Sequence, residues 1–268
     1  MLVCPYADSH DPCVRVVGSF VLECLSFQLC FYANPRIEAS LLPTSFQAIS
    51  QLMLTEMCGR NWGYVRSLSL MFFLELAALR VGEVLNTESL ANDCGISVDT
   101  AKSWLSILGS SFIAFRLRPY FKNYGKRIAK ASKLYFYDTG LAAHLLGIES
   151  TEQLILSNHR GNLFENLVVT EIIKRYEALE KRPRLYHWRD SNRKEIDLII
   201  EKGGKPYYLI EIKSSATFRP EAFSTIDSIA PEMGVPCERR FVVYGGSDSF
   251  GNRHGRVIGF RNLGELVE

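Results

Sequence analysis

The chain of 268 residues is long enough for one large domain or two domains of ordinary size. Its hydrophobic fraction of 47% and charged fraction of 22% are normal for a soluble globular protein, so a sizeable core can form. The formal net charge of +2 excludes a polycation, and any nucleic-acid surface must come from local clusters of Lys and Arg.

The seven cysteines are odd in number, and no C-x-x-C pair occurs. This pattern argues against a zinc site and against a disulfide framework. We therefore expect reduced, mainly structural cysteines in a cytoplasmic protein.

Residues 1–65 have weak periodicity and no motif, and we interpret them as an uncertain N-terminal segment, a remnant or a linker. Residues 16–33 are about long enough to span a membrane, but Glu23 and Gln28 interrupt the apolar run. We expect a buried segment there and no association with a membrane. No G-x-x-x-x-G-K-[ST] loop occurs in the sequence, so we expect no ATP site in this chain.

Residues 66–150 have helical periodicity and are predicted to form a first domain. Thr87 is predicted to cap a short helix that ends at Gly95, and Ser97 to cap the next helix. Two helices joined by a tight turn with Gly form a helix-turn-helix pattern. The apolar side of the second helix is formed by Ala101, Trp104, Leu105 and Leu108.

Two β-rich segments follow the second helix, and the basic stretch between them resembles the wing of a winged helix. In such a motif the second helix contacts DNA, and the basic loop holds the phosphate backbone with salt-dependent affinity. The predicted contacts on the early turns of the second helix are Thr100, Lys102 and Ser103. The predicted basic-loop contacts are Lys122, Lys126, Arg127, Lys130 and Lys133. The alternative is a plain packing module with a solvated loop.

Residues 151–268 change character and are predicted to form a second domain. An amphipathic helix over residues 161–179 precedes several short β-rich segments, with another helical segment around residues 220–229. A helix followed by several strands predicts an α/β or α+β arrangement, in which helices flank a mixed sheet.

Charged residues interrupt the two strands on either side of Gly203-Gly204. Glu211 and Lys213 lie two apart and therefore share one face of their strand. If the strands pair around the glycine turn, Asp197 approaches Glu211. Glu165, on the preceding helix, can be brought to the same edge.

This constellation predicts a site for phosphodiester hydrolysis. Asp197 and Glu211, with the carbonyl of Ile212, would bind a hard divalent cation, Mg²⁺ above all. The metal would acidify a bound water and stabilise charge on a phosphate. Lys213 would orient the water or the scissile phosphate, and Glu165 would complete the shell or hold the lysine.

The alternative is that these charges form ordinary ion pairs at the end of a sheet. Asp197 with Lys213, or Glu211 with Arg189, are the pairs that the spacing allows. Exposed pairs of this kind contribute on the order of 0–1 kcal/mol.

A series of ordered motifs carries a resemblance to a known family. The segments are ISVDTAKSWLSILGSSFIAFRLRPYFKNYGKRIAKASKLYFYDTGLAAHLLGI, GNLFENLVVTEIIK, WRDSNRKEIDLII and IEIKSS. Over roughly residues 66–220 the chain resembles the C-terminal domain of unknown function attached to prokaryotic AAA+-type ATPases. The resemblance implies a winged helix followed by a restriction-endonuclease-like PD-(D/E)XK fold. Its acidic and lysine positions fall on Glu165, Asp197, Glu211 and Lys213.

The chain departs from that family because it has no phosphate-binding loop. We expect either a truncated relative or a stand-alone C-terminal module. We do not expect this chain to hydrolyse ATP as the family's ATPase domain does. The leading hypothesis is a DNA-binding protein with a Mg²⁺-dependent nuclease-like site. The alternative is a non-catalytic module for nucleic acid or protein, accessory to an ATPase. Expected partners are therefore DNA and either a separate ATPase or a second copy of the chain.

Overall fold

The computed structural model describes residues 64–121, 132–192 and 194–267. The helices in these ranges are α1 (Tyr64–Ala78), α2 (Thr87–Cys94), α3 (Val98–Ser110), α4 (Thr139–Leu145), α5 (Thr151–Leu156), α6 (Arg160–Ala178) and α7 (Ser224–Met233). The strands are β1 (Ala114–Pro119), β2 (Lys133–Phe136), β3 (Arg184–Arg189), β4 (Glu195–Lys202), β5 (Lys205–Lys213), β6 (Arg240–Tyr244), β7 (Phe250–Gly251) and β8 (Arg256–Gly259). Short 3-10 segments cover Pro220–Phe223, Cys237–Arg239 and Phe260–Leu266.

Local hydrogen bonds set the ends of α2 and α3, which are joined by a short turn. The side chain of Asn86 accepts from the backbone of Glu88 and Ser89, so Asn86 caps α2. The prediction that Thr87 is the cap was wrong by one residue, because Thr87 already belongs to the helix. Gly95 ends α2 with a φ of 68°, and the Ser97 side chain caps α3 as predicted.

The apolar side predicted for α3 is buried against α1 and the first strands. Trp104 packs edge-on against Phe73 of α1, with ring centroids 5.2 Å apart. The two strands predicted after α3 are present as β1 and β2, and they pair antiparallel. The predicted segments at residues 1–63, including the apolar run at 16–33, lie outside the described residues. So do the four basic-loop positions Lys122, Lys126, Arg127 and Lys130.

Within the described residues, the strands form one mixed sheet in the order β2-β1-β3-β4-β5-β6-β8-β7. Within the sheet, a short parallel pairing of β1 with β3 joins the two halves of the chain, through Arg118–Tyr186 and Pro119–His187. Strands β3, β4 and β5 form an antiparallel meander, whereas β5, β6 and β8 are parallel. The expectation of a mixed sheet flanked by helices is confirmed.

Helices cover both faces of the central strands. Leu198 and Ile210 face the core that includes α6, whereas Ile199 and Leu209 face the core that includes α7. Each fully buried Leu or Ile side chain contributes roughly 1.5–3 kcal/mol, which explains why these strands are almost continuously apolar. None of the described helices is both long and apolar enough to cross a membrane.

Candidate functional site

The β4–β5 hairpin brings Asp197 and Glu211 together at the end opposite its turn. Gly203 and Gly204 form the turn with φ angles of 60° and 79°, a conformation that favours glycine. The backbone ladder pairs Leu198 with Ile210 and continues no further towards the open end. Beyond it, Oδ2 of Asp197 accepts a hydrogen bond of 2.8 Å from the backbone nitrogen of Ile212.

A β-bulge lies at Asp197. Tyr186 pairs with Ile199 and Trp188 pairs with Ile196, so β4 contains one residue more than β3 between these pairs. A bulge interrupts the ladder and re-aims the side chains at its position, and bulges are frequent next to active sites. The bulge places Asp197 where its carboxylate, rather than a strand backbone, bonds to β5.

Glu211 and Lys213 are neighbours on β5, as their spacing predicts. Nζ of Lys213 lies 2.6 Å from Oε1 of Glu211. The second oxygen of Glu211, Oε2, is buried and has no hydrogen-bond partner. A buried carboxylate oxygen without a donor is costly to desolvate, so this atom is available to a cation or to a water molecule.

Glu165 reaches the same site from α6 through Lys133. Nζ of Lys133 lies 2.8 Å from Oε1 of Glu165, 2.8 Å from Oε1 of Glu195 and 3.9 Å from Oδ1 of Asp197. The hydroxyl of Tyr135 donates to the same oxygen of Glu165. The Lys133 side chain is only 4% exposed.

The position of Lys133 corrects the sequence analysis. The prediction placed this residue in an exposed basic loop, but Lys133 is the first residue of β2 and is surrounded by carboxylates. A buried ammonium requires such partners because isolated charges are expensive to bury. Lys133 is therefore part of the carboxylate site and is not on a solvated wing.

Burial shifts the pKa values of the acidic residues in this site. Desolvation, followed by the charge of Asp197, raises the pKa of Glu211 to about 8 and that of Glu165 to about 7. Desolvation also raises the pKa of Asp197. For Lys133, burial lowers the pKa, but the charges of the surrounding carboxylates outweigh it and raise the pKa overall.

Asn166, which follows Glu165 on α6, fixes β2 against the helix. Its Oδ1 accepts from the backbone nitrogen of Phe136 at 2.7 Å, and its amide donates to the carbonyl of Phe136 at 3.0 Å. The amide also donates to the hydroxyl of Thr139 at 2.7 Å. The side chain is fully buried, so these bonds satisfy polar groups that water cannot reach.

Four residues of this site were not predicted from the sequence as members of it. One signal was available for Lys133 and Tyr135, because alternation along β2 places them on one face of the strand. Glu195 lies two residues before Asp197 in the same strand, which gave only a weak indication that it shares the site. Asn166 had no signal beyond being a polar residue on the apolar side of an amphipathic helix.

The residues predicted to contact DNA on α3 lie at the surface. The Lys102 side chain is 63% exposed, and its Nζ lies 3.5 Å from Oδ1 of Asp99. Ser103 is exposed, and the half-exposed Thr100 shares a hydrogen bond with the hydroxyl of Ser97. Lys133 contacts Glu165 and Asp197, and Lys213 contacts Glu211. Asp197 links the two pairs through its hydrogen bond to the backbone of Ile212, and these three residues of α3 take no part in these contacts.

The donor set suits a hard cation that keeps several water ligands. In residues 64–121, 132–192 and 194–267, no group of three or more His, Cys, Asp or Glu side chains is arranged to hold a metal. Mg²⁺ is usually bound by only one or two carboxylates, with water and substrate oxygens completing the shell. Asp197 and Glu211 meet this requirement, and the buried Oε2 of Glu211 is an acceptor without a donor.

Comparison with known proteins identifies relatives of part of the chain. Two relatives, "Uncharacterized protein Mb2031c" of Mycobacterium bovis and "Uncharacterized protein Rv2008c" of Mycobacterium tuberculosis, are each 31% identical over 169 residues. The match covers 63% of this chain and 36% of each relative, so the chain spans about a third of their length. No solved structure matches the chain.

Two family models match separate parts of the sequence. One, described as domain of unknown function DUF8612, matches residues 63–152, and the other, domain of unknown function DUF4143, matches residues 160–263. Both matches agree with the sequence resemblance in one respect, since it also implied a domain of unknown function. The chain therefore carries two domains of unknown function, DUF8612 followed by DUF4143.

Proposed function

We propose that the protein is a DNA-binding, Mg²⁺-dependent phosphodiester hydrolase. The observation that carries this proposal is the juxtaposition of two buried carboxylates, Asp197 and Glu211, with Lys213 beside them. The unpartnered Oε2 of Glu211 supplies an oxygen for a cation, and Lys213 supplies a positive charge for a phosphate.

Each residue has a distinct role in this proposal. Asp197, Glu211 and the carbonyl of Ile212 would hold Mg²⁺, which when bound lowers the pKa of a water ligand and stabilises charge on the phosphate. Lys213 is the most exposed member, with 46% of its side chain accessible, so it can orient a water or the scissile phosphate. Glu165, on α6, forms an ion pair with Lys133 and so balances the buried charge of this lysine.

The order of elements supports a winged helix followed by a restriction-endonuclease-like domain. Helices α2 and α3 precede the antiparallel pair β1–β2, and α6 precedes the meander that carries the acidic residues. In this proposal α3 would contact DNA through Thr100, Lys102 and Ser103. The resemblance to ATPase-associated domains also predicts a separate ATPase, or a second copy of this chain, as a partner.

The alternative function is a non-catalytic module for binding nucleic acid or protein. The specific observation in its favour is that Lys133 and Lys213 already pair with the carboxylates. A cluster that contains its own cations can be stable without a metal ion. This module would bind DNA or a partner and would leave phosphodiester bonds intact.

Cleavage of plasmid and linear DNA distinguishes the two functions. The wild-type chain is incubated with DNA and Mg²⁺, with EDTA as a metal-free control. Glu211→Ala should abolish cutting and leave DNA binding intact, whereas Glu238→Ala changes an exposed glutamate and should behave as wild type. Equal trace cleavage by wild type and Glu211→Ala would exclude the catalytic function and favour the binding module.

A further inference from the structure

Lys133 lies in a different domain from the acidic residues that it contacts. It belongs to β2, within the DUF8612 match, whereas Glu165, Glu195 and Asp197 all lie within the DUF4143 match. The DUF4143 site is therefore completed by an ammonium group from the preceding domain. Asn166 fixes this arrangement, because it bonds β2 at Phe136, three residues after Lys133.

The ammonium group occupies the position expected of a cation among oxygen ligands. Its Nζ lies 2.8 Å from two carboxylates and 3.9 Å from the third, and its side chain is 96% buried, since only 4% is exposed. Enzymes that use two metal ions for phosphoryl transfer hold them roughly 3.5–4 Å apart between shared carboxylates. Asp197 is such a shared carboxylate here, because it contacts Lys133 and adjoins Glu211.

The charge of the site also fits one divalent cation. With all four carboxylates ionised, the two lysines leave the cluster with a formal charge of −2, which one divalent ion neutralises. Without Lys133 the formal charge would be −3, and one divalent ion would leave the cluster negative. The members counted are Glu165, Glu195, Asp197, Glu211, Lys133 and Lys213.

We propose that Lys133 is a positioning residue whose ammonium group takes the place of a second divalent cation, so that this site binds one divalent cation per chain. The proposal rests on the proposed function, because it requires metal binding by Asp197 and Glu211. It adds the metal stoichiometry and assigns part of the site to β2. It also explains why a lysine is buried at the end of a strand that otherwise packs apolar residues.

The test is titration of the full chain with Mn²⁺, monitored by calorimetry and by electron paramagnetic resonance. Wild type should bind one ion with the spectrum of an isolated Mn²⁺. Lys133→Met should admit a second ion within about 4 Å of the first, so the bound pair should show spin–spin coupling. Lys133→Arg retains the charge and Lys205→Met changes an exposed lysine, so both should bind one ion.

Each outcome decides between the inference and the proposed function. Two ions in wild type, or one ion of unchanged affinity in folded Lys133→Met, would overturn the role of Lys133 and leave the metal site standing. No ion in wild type would overturn the proposed function and the inference with it. If Lys133→Met does not fold, the double variant Lys133→Met/Glu165→Gln replaces it. This variant keeps the formal charge at −2 and should bind one ion, and two ions would contradict the proposal.

Discussion

Nζ of Lys133 and Oε1 of Glu165 lie 2.8 Å apart and join strand β2 to helix α6 inside the carboxylate site. The two residues fall within the matches of two different family models. The ion pair is almost fully buried, so removing one partner would leave the charge of the other buried without compensation. The pair therefore helps to hold β2 against α6 at the carboxylate site.

Lys133→Met should destabilise the protein at pH 8 by about 3–5 kcal/mol, because it leaves Glu165 and Asp197 buried without their cation. Chemical denaturation measures this change in the free energy of unfolding. Lys205→Met, at the exposed end of β5, is the matched control and should stay within about 0.5 kcal/mol of wild type. Equal stabilities for the two variants would show that the ion pairs of Lys133 contribute nothing to the free energy of unfolding.

Asn166→Ala should destabilise the protein on the order of 3 kcal/mol, because it leaves the backbone nitrogen and carbonyl of Phe136 buried without partners. Urea denaturation provides the measurement. Asn262→Ala is a suitable control, since Asn262 also bonds a backbone carbonyl but lies in a more exposed position. A loss below about 1 kcal/mol for Asn166→Ala would mean that water replaces the lost amide.

The hairpin and its charged end could be predicted from sequence, because they depend on local pattern. Gly203-Gly204 specifies the turn, which joins the two strands and brings Asp197 near the end of β5. The exact register also depends on an irregularity that the sequence does not indicate, because the pairing shifts by one residue between Glu201 and Ile200. The spacing of Glu211 and Lys213 also places them on one face. These relationships require only neighbouring segments of the chain.

The role of Lys133 could not be predicted, because it depends on contacts between segments far apart in sequence. The parallel pairing of β1 with β3 and the packing of α6 on β2 together bring Lys133 to Asp197. Local composition favoured the opposite interpretation, since Lys133 follows a run of basic residues. The bulge at Asp197 has no signature in the sequence either, because its residues are ordinary strand formers apart from the aspartate.

Glu211→Gln should stabilise the metal-free protein at pH 8.5 but have little effect at pH 4.5. The pKa of Glu211 is about 8 in the folded chain, against an ordinary value of 4.5. The folded state therefore binds more protons between these pH values, and the stability contributed by the carboxyl is lost as pH rises through about 8.

Thermal unfolding at the two pH values measures this effect. Glutamine cannot ionise, so the variant should gain on the order of a few kcal/mol, or several degrees in Tm, at the higher pH. Glu238→Gln replaces an exposed glutamate and should change neither value. A Tm difference between wild type and Glu211→Gln that is the same at both pH values would contradict the raised pKa.

Metal affinity should increase with pH between 6 and 8, because a divalent cation binds the ionised carboxylate and must displace its proton. The raised pKa values of Glu211 and Glu165 place this proton release in that range. Well below the pKa, affinity should fall by about tenfold per pH unit for each proton displaced. Calorimetry in two buffers of different ionisation enthalpy measures the released protons directly. A pH-independent affinity with no proton release would contradict binding at Glu211.

If Asp197, Glu211 and Lys213 form a site that hydrolyses DNA, the rate of cleavage must depend on the ammonium group of Lys213. Single-turnover cleavage of supercoiled plasmid in Mg²⁺ is compared for wild type, Lys213→Ala and the matched variant Lys205→Ala. We expect Mg²⁺-dependent cutting by wild type and Lys205→Ala, and a rate lower by about 10²-fold or more for Lys213→Ala at unchanged DNA affinity. Equal rates for all three proteins, or no cutting by any of them, would show that these residues do not form a hydrolytic site.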